Sequence, residues 1–275
     1  MNVLVATDGS KYGRWGLNWV AKLPFVKPPR VTALHVVDIA LRWPFRAQRE
    51  IQRIGAHSAR TLKEATQQLA SLKLKGTAHK GQGAVALVIL KRAPKRDGLL
   101  VVGSKGFDAL DRFMLGSVST KLIHHATCPV LVVKNEAVPL RRITLATDGS
   151  SASAEALEFV LTKFQPDRST GKGGRVPIHV SVIHVMPFSH YPKLREAGRR
   201  LVERSVRELT KAGFTAEPVC RLGKPAEVIM EVASKHHADL IVMGAKGLGA
   251  IARFLLGSVS TRVVQYSSCS VLVVR

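Results

Sequence analysis

The stretch "VVGSKGFDALDRFMLGSVST" at residues 101–120 returns as "VMGAKGLGAIARFLLGSVST" at residues 242–261, identical at thirteen of twenty positions. Three glycines and a serine recur in register: Gly103, Gly106, Gly116 and Ser117 against Gly244, Gly247, Gly257 and Ser258. The duplication extends further. "VLVATDGS" at residues 3–10 matches "ITLATDGS" at 143–150, "TALHVV" at 32–37 aligns with "VSVIHVM" at 180–186, and "TCPVLVVK" at 127–134 matches "SCSVLVVR" at 268–275. Solenoid repeats run roughly 20 to 50 residues, so so long a period means two tandem whole domains. The expected division is 1–138 and 139–275, with "NEAVPLRR" at residues 135–142 as a short linker.

Each half alternates short β-branched runs with longer stretches of helical period. In the first half the strands are "NVLVAT", "RVTALHVV", a weak one near "GTAHK", "GLLVVG" and "PVLVVK". The helices are "KYGRWGLNWVAKL", a basic stretch over residues 46–72, "AVALVILKRA" and "SVSTKLIHHA". The second half repeats the scheme with "KPAEVIMEVASKHHA" as its third helix and a glycine-rich loop, "STGKGG", before its second strand. Strand and helix in alternation, with strands almost wholly apolar, predict an α/β fold: two doubly wound parallel sheets with helices on both faces.

Function classes narrow quickly. No run of about 18 apolar residues exists and the start "MNVLVATDGS" has no basic leader, so a cytoplasmic chain is expected. Three scattered cysteines make neither a disulfide framework nor a zinc site. The net charge of +23 is shared by both halves, with 22 basic and 8 acidic residues up to 138 and 20 and 11 beyond. Attraction to nucleic acid or an anionic membrane is one reading of that charge. A solvated surface is the favoured one, because aromatics are only 5% and form no stripe with the basic residues.

In an open parallel sheet, ligands bind beyond the carboxyl ends of the strands. Gly103 and Gly244 end the fourth strand, where a missing Cβ lets a ligand approach or the chain take positive φ. Gly106 and Gly247 turn the loop, and Gly116-Ser117 and Gly257-Ser258 open the last helix, whose unpaired N–H groups attract anions. Ser117 and Ser258 are placed to cap it or to donate to a phosphate. No Walker A loop and no G-x-G-x-x-G occurs, so this is a phosphate cradle of another kind. Asp8 and Asp148 end the first strand in "ATDGS", suited to ribose hydroxyls or to a magnesium ion near the phosphates. Ser10 is the better helix cap. His124-His125 and His236-His237 are weak metal candidates, because adjacent residues do not share a helix face. His35 and His184 read as buried strand histidines, and no nucleophile elbow supports hydrolase chemistry.

The spacing G-x2-G-x9-G-[ST], written twice, resembles the ATP-binding signature of universal stress proteins, and the likeness covers both halves. It implies five parallel strands per domain in the order 3-2-1-4-5. It further implies adenine against Ala6, Thr7 and Val36, and against Ala146, Thr147 and Val185, with Asp8 and Asp148 beside the nucleotide. Phosphate contacts fall on Gly103, Gly106, Gly116, Ser117, Val118 and Ser119, and on Gly244, Gly247, Gly257, Ser258, Val259 and Ser260. The expected role is an ATP-binding stress sensor or regulator, with magnesium. The rivals are a slow ATPase or nucleotidyl transferase, and a basic binder of nucleic acid or membrane. The resemblance also implies that the domains pair through their last strands, "PVLVVK" and "SVLVVR", and a homodimer beyond that is plausible. Between the halves, "GKPAEVI" at 223–229 stands against "GQGAVAL" at 81–87, and only the first glycine loop carries acids, Asp108 and Asp111.

Overall fold

The structure is a computed structural model that describes residues 1–38, 48–95, 97–106, 115–169, 175–186, 192–247 and 256–275. The chain divides into two compact units, one of residues 1–21 and 27–137, the other of 22–26 and 138–275.

The first unit runs β1 (Asn2–Ala6), α1 (Lys11–Lys22), β2 (Arg30–Val37), α2 (Gln48–Ser71), β3 (Gly76–Gln82), α3 (Val85–Arg92), β4 (Leu99–Gly103), α4 (Ser117–His125) and β5 (Val130–Val133). Its strands are parallel and lie in the order β3-β2-β1-β4-β5. The apolar runs become central strands: Val3, Leu4, Val5 and Leu99 to Val102 are almost entirely buried. The stretch near "GTAHK", weak as a sequence signal, is a full edge strand, most of whose residues stay exposed. Backbone pairing to β2 there outweighs a composition poor in β-formers.

Right-handed crossovers decide which face each helix covers. α1 and α2 share one face, where Gln68 Nε2 on α2 donates to Asn18 Oδ1 at 2.8 Å and to the Arg14 carbonyl at 2.9 Å on α1. α3 and α4 pack together on the other. Gly16 lets α1 approach the sheet, since a Cβ there would sit 3.0 Å from Val5 Cγ1. Trp19, fully buried on the same helix, donates its Nε1–H to the Asn135 carbonyl at 2.9 Å.

The second unit runs β6 (Arg142–Ala146), α5 (Ser151–Lys163), β7 (Asp167–Ser169), β8 (Arg175–Pro177), β9 (His179–Met186), α6 (Pro192–Lys211), β10 (Thr215–Leu222), α7 (Pro225–Lys235), β11 (Leu240–Gly244), α8 (Ser258–Tyr266) and β12 (Ser270–Val274). Its main sheet repeats the topology as β10-β9-β6-β11-β12. The sequence promised a plain loop around "STGKGG". Instead two short antiparallel strands, β7 and β8, flank it.

The turn before the third helix corrects the sequence alignment. Gly83 and Gly223 both have φ +138°, and their N–H groups donate to the Val37 and Met186 carbonyls, each at 3.0 Å. "GAVA" at 83–86 is therefore the counterpart of "GKPA" at 223–226, and Gly81 is not the matching glycine. Ala86 and Ala226 are both buried, as are Ile89 and Ile229, three residues or about one turn later in each helix. The turn differs mainly in having Val85 where the second unit has Pro225 at the first helical position, a place where proline is favoured but not required.

Candidate functional site

The strand order reverses between β1 and β4, and between β6 and β11, which opens a crevice at their carboxyl ends. In the first unit Thr7 continues the pairing of β1, its N–H donating to the Leu34 carbonyl at 3.0 Å. Asp8 follows. Its Oδ1 accepts the Ser10 N–H at 2.9 Å and forms a turn, while Ser10 Oγ accepts the Gly13 N–H at 3.3 Å and caps α1. The aspartate's second oxygen faces the glycine loop: a Cβ built on Gly106 would lie 3.0 Å from Asp8 Oδ2. The second unit repeats this arrangement. Asp148 Oδ1 accepts from Ser150 N at 3.0 Å and from Ser150 Oγ at 2.5 Å, and a Cβ on Gly247 would meet Asp148 Oδ2 at 2.5 Å. Gly9 and Gly149, at φ +84° and +82°, make the turn that aims the carboxylate, a conformation that L side chains take only under strain.

On the opposite wall Gly116 and Gly257 are the N-caps of α4 and α8, with extended backbone and no capping side chain. Their N–H groups donate to the Ser104 and Ala245 carbonyls, each at 2.8 Å, which ties the helix start back to the glycine loop. The first-turn N–H groups of Ser117, Val118 and Ser119, and of Ser258, Val259 and Ser260, have no intrahelical acceptor by helix geometry and carry the positive end of the dipole.

The universal stress protein family model matches residues 1–134 and again 139–275. The chain belongs to the universal stress protein family. A universal stress protein of Mycolicibacterium smegmatis is 29% identical over 99% of this chain and 96% of its own length. One of Thermus aquaticus is 35% identical over 49% of this chain and 98% of its own length. The fold matches the crystal structure of a universal stress protein from Archaeoglobus fulgidus at a TM-score of 0.74, with 23% identity, covering 100% of this chain and 96% of that one.

Several residues of the universal stress protein signature act differently from the sequence expectation. Gly103 and Gly244 are not at positive φ, and what approaches them is protein: a Cβ would lie 2.6 Å from Tyr12 Cβ, or 2.5 Å from the Ala152 carbonyl carbon. These glycines admit the first turns of α1 and α5 rather than a ligand. Ser117 and Ser258 stand one residue inside the helix, exposed, and do not cap it. Ser119 and Ser260 are buried, and their hydroxyls donate to the Gly103 carbonyl at 2.6 Å and the Ala245 carbonyl at 2.7 Å, which ties the helix start to the loop. Val36 and Val185 are buried, Val36 beside Gly81 and Val88 of α3. Ala6, Thr7, Ala146 and Thr147 lie at the strand ends where the crevice opens. Asp108 and Asp111 lie outside the described residues.

Two histidines hold the first strand's end. His35 Nδ1 is 3.0 Å from the Thr7 carbonyl and His57 Nε2, on α2, is 2.9 Å from the Asp8 carbonyl, with ring centroids 5.9 Å apart. His184 repeats the first contact at 2.8 Å from Thr147, but a Cβ on Gly149 would meet Leu201 where one on Gly9 would meet His57 and Thr61. His57 was not legible as a site neighbour, because α2 is aligned only by its period. Burial pushes the His35 pKa below its ordinary 6.5, aided by His57 and Lys80 and opposed by the Thr7 hydrogen bond and Asp8. The unfolded chain therefore takes up that proton first. The stability contributed is complete above about 6.5 and is lost as pH falls through and below it. All three tryptophans, Trp15, Trp19 and Trp43, lie in the first half, so their fluorescence reports that half selectively. Urea midpoints read this way are expected to fall from pH 7 to pH 5, and His35→Gln, which keeps a donor for Thr7, is expected to flatten the fall.

Proposed function

We propose that each unit binds one ATP, with magnesium, and that the protein acts as a nucleotide-responsive regulator. The observation that carries this reading is the doubled crevice, in which one carboxylate is directed at a glycine loop beside a helix start without a capping side chain. The triphosphate lies on the first-turn N–H groups of α4 and α8, and Asp8 or Asp148 meets the ribose or the magnesium. Magnesium is commonly held by one or two carboxylates together with substrate phosphates, which suits a single aspartate per site. When bound, magnesium neutralises phosphate charge. The chain's own groups position the nucleotide, and among the described residues no general base recurs beside both cradles, which favours regulation over efficient hydrolysis.

The two sites differ in charge. Two unit charges about 8 Å apart repel by roughly 0.5 kcal/mol in water and about 2 kcal/mol at an effective dielectric of 20. Asp108 and Asp111 are therefore expected to make the first site the weaker by about tenfold or more. Calorimetric titration of ATP should show two classes of site that converge when both aspartates become alanine; equal affinities in the unaltered chain would sink the charge argument. The last strands, β5 and β12, are short and apolar, and edges of that kind invite pairing. We propose that the units pair through them, and a crystal structure with residues 129–134 and 271–275 apart and facing solvent would reject it.

A further inference from the structure

At the amino-terminal end of its sheet, opposite the crevice just described, the second unit carries a row of three polar side chains that the first unit has only in part. Thr144 on β6, Ser181 on β9 and Glu217 on β10 are register partners on three adjacent strands, so their side chains share one face of the sheet. His236, the C-cap of α7, closes over the row. Ser181 Oγ donates to Glu217 Oε1 at 2.7 Å, and His236 Nδ1 lies 2.9 Å from Ser181 Oγ and 3.1 Å from Glu217 Oε1. The Thr144 side chain is fully buried, and its hydroxyl has no hydrogen-bond partner. With Arg142, Lys235 and two further histidines these residues line an open cleft of about 370 Å³, a volume at the small end of ligand pockets.

The first unit serves as an internal comparison, because it folds the same way without the buried hydroxyl of Thr144 and the carboxylate of Glu217. The matching row is Leu4, Thr32 and Thr77. Leu4 stands there in place of the buried hydroxyl, apolar and buried, and α3 ends at Arg92, short of Pro94, so the histidine that meets this row, His79 at 2.9 Å from Thr77 Oγ1, comes from β3 itself and not from a helix end. A buried hydroxyl without a partner destabilises a sheet, and the sheet plainly does not need one. The charge of the cleft gives the ligand's class. Arg142 and Lys235 stand against a single carboxylate in the lining, which already accepts from Ser181 and faces His236, while Asp239, just outside it, is held by the Arg141 and Arg142 backbone N–H groups.

We propose that this cleft is a second ligand site, confined to the second unit, for a small hydroxylated oxyanion whose phosphate or carboxylate lies on Arg142 and Lys235 and whose hydroxyl joins the Ser181–His236–Glu217 network. The arrangement binds and does not hydrolyse. A Ser-His-acid relay uses opposite ring nitrogens for the serine and the acid, whereas here Nδ1 faces both. The eight residues of β9 separate the two ends of the sheet by roughly 23 Å, so occupancy here does not compete with a nucleotide.

The test is a titration of inorganic phosphate and of glycerol 3-phosphate into the isotope-labelled full chain, followed by backbone amide resonances. It is run with ATP saturating, which keeps phosphate from the other crevice, and again without ATP, so that a failure of the nucleotide reading leaves this one separately readable. Saturable shifts are expected at Ser181, Glu217 and His236, with glycerol 3-phosphate the tighter ligand. Arg142→Gln and Lys235→Gln, both at exposed positions, are expected to weaken binding at least about tenfold. Ser181→Ala is expected to remove the preference for the hydroxylated ligand. Shifts that do not saturate in the tens of millimolar, shifts scattered over the basic surface, or shifts unchanged in the Arg142 and Lys235 variants would overturn the proposal.

Discussion

ATP at about 100 times its dissociation constant is expected to stabilise each occupied unit by about 2.7 kcal/mol, which in units of this size raises the melting temperature by roughly 10 °C or more. Gly116→Asp combined with Gly257→Asp is expected to abolish the rise. The substitution separates ligand loss from misfolding. A Cβ at Gly116 would come no closer than 3.6 Å to the Ser104 carbonyl, and one at Gly257 no closer than 3.4 Å to that of Ala245, so the protein has room for it. Both positions are N-caps with extended backbone, where aspartate is favoured over most residues, so the ligand-free variant should melt no lower than the original. Its carboxylate would occupy the place of a phosphate and repel any that came near. An unchanged ATP response in a folded double variant would put the nucleotide elsewhere.

Trp19→Ala should be the most damaging single core change in the first unit. The indole is fully buried on α1 and its N–H serves the Asn135 carbonyl at the end of that unit. Removal of a buried tryptophan costs about 3–5 kcal/mol through lost transfer energy and the cavity left behind. Trp19→Phe refills most of the volume but removes the indole N–H that donates to the Asn135 carbonyl, so it should cost roughly 1–3 kcal/mol. Urea unfolding followed by circular dichroism reads both, and equal losses for alanine and phenylalanine would mean that the hydrogen bond, not the packing, holds α1 in place.

How far the sequence led depended on what each feature rests on. Strands such as "GLLVVG" and "PVLVVK" were legible because a sheet buried on both faces demands unbroken apolar runs, and the strand order of both units came from the family resemblance that the duplicated spacing carries. Ser10 was legible as the better cap of the first helix, whereas the turn that Asp8 closes onto the Ser10 N–H was not. The roles of Gly103 and Gly244 were not, because a glycine that admits a neighbouring helix and one that admits a ligand look alike in one dimension. Gly81 was mistaken for the turn glycine because "GQG" offers two, and only the positive φ of Gly83 separates them. His57 and the Ser181–Glu217–His236 cluster come together across long stretches of chain, from elements whose period predicts existence but not register.

The claim on which the functional reading rests is that each unit carries its own nucleotide site. Native mass spectrometry of the full chain with magnesium and ATP counts sites directly. The account predicts two nucleotides per chain, one after either Gly116→Asp or Gly257→Asp alone, and none after both. A chain that binds no nucleotide, or a double variant that still binds two, would contradict it.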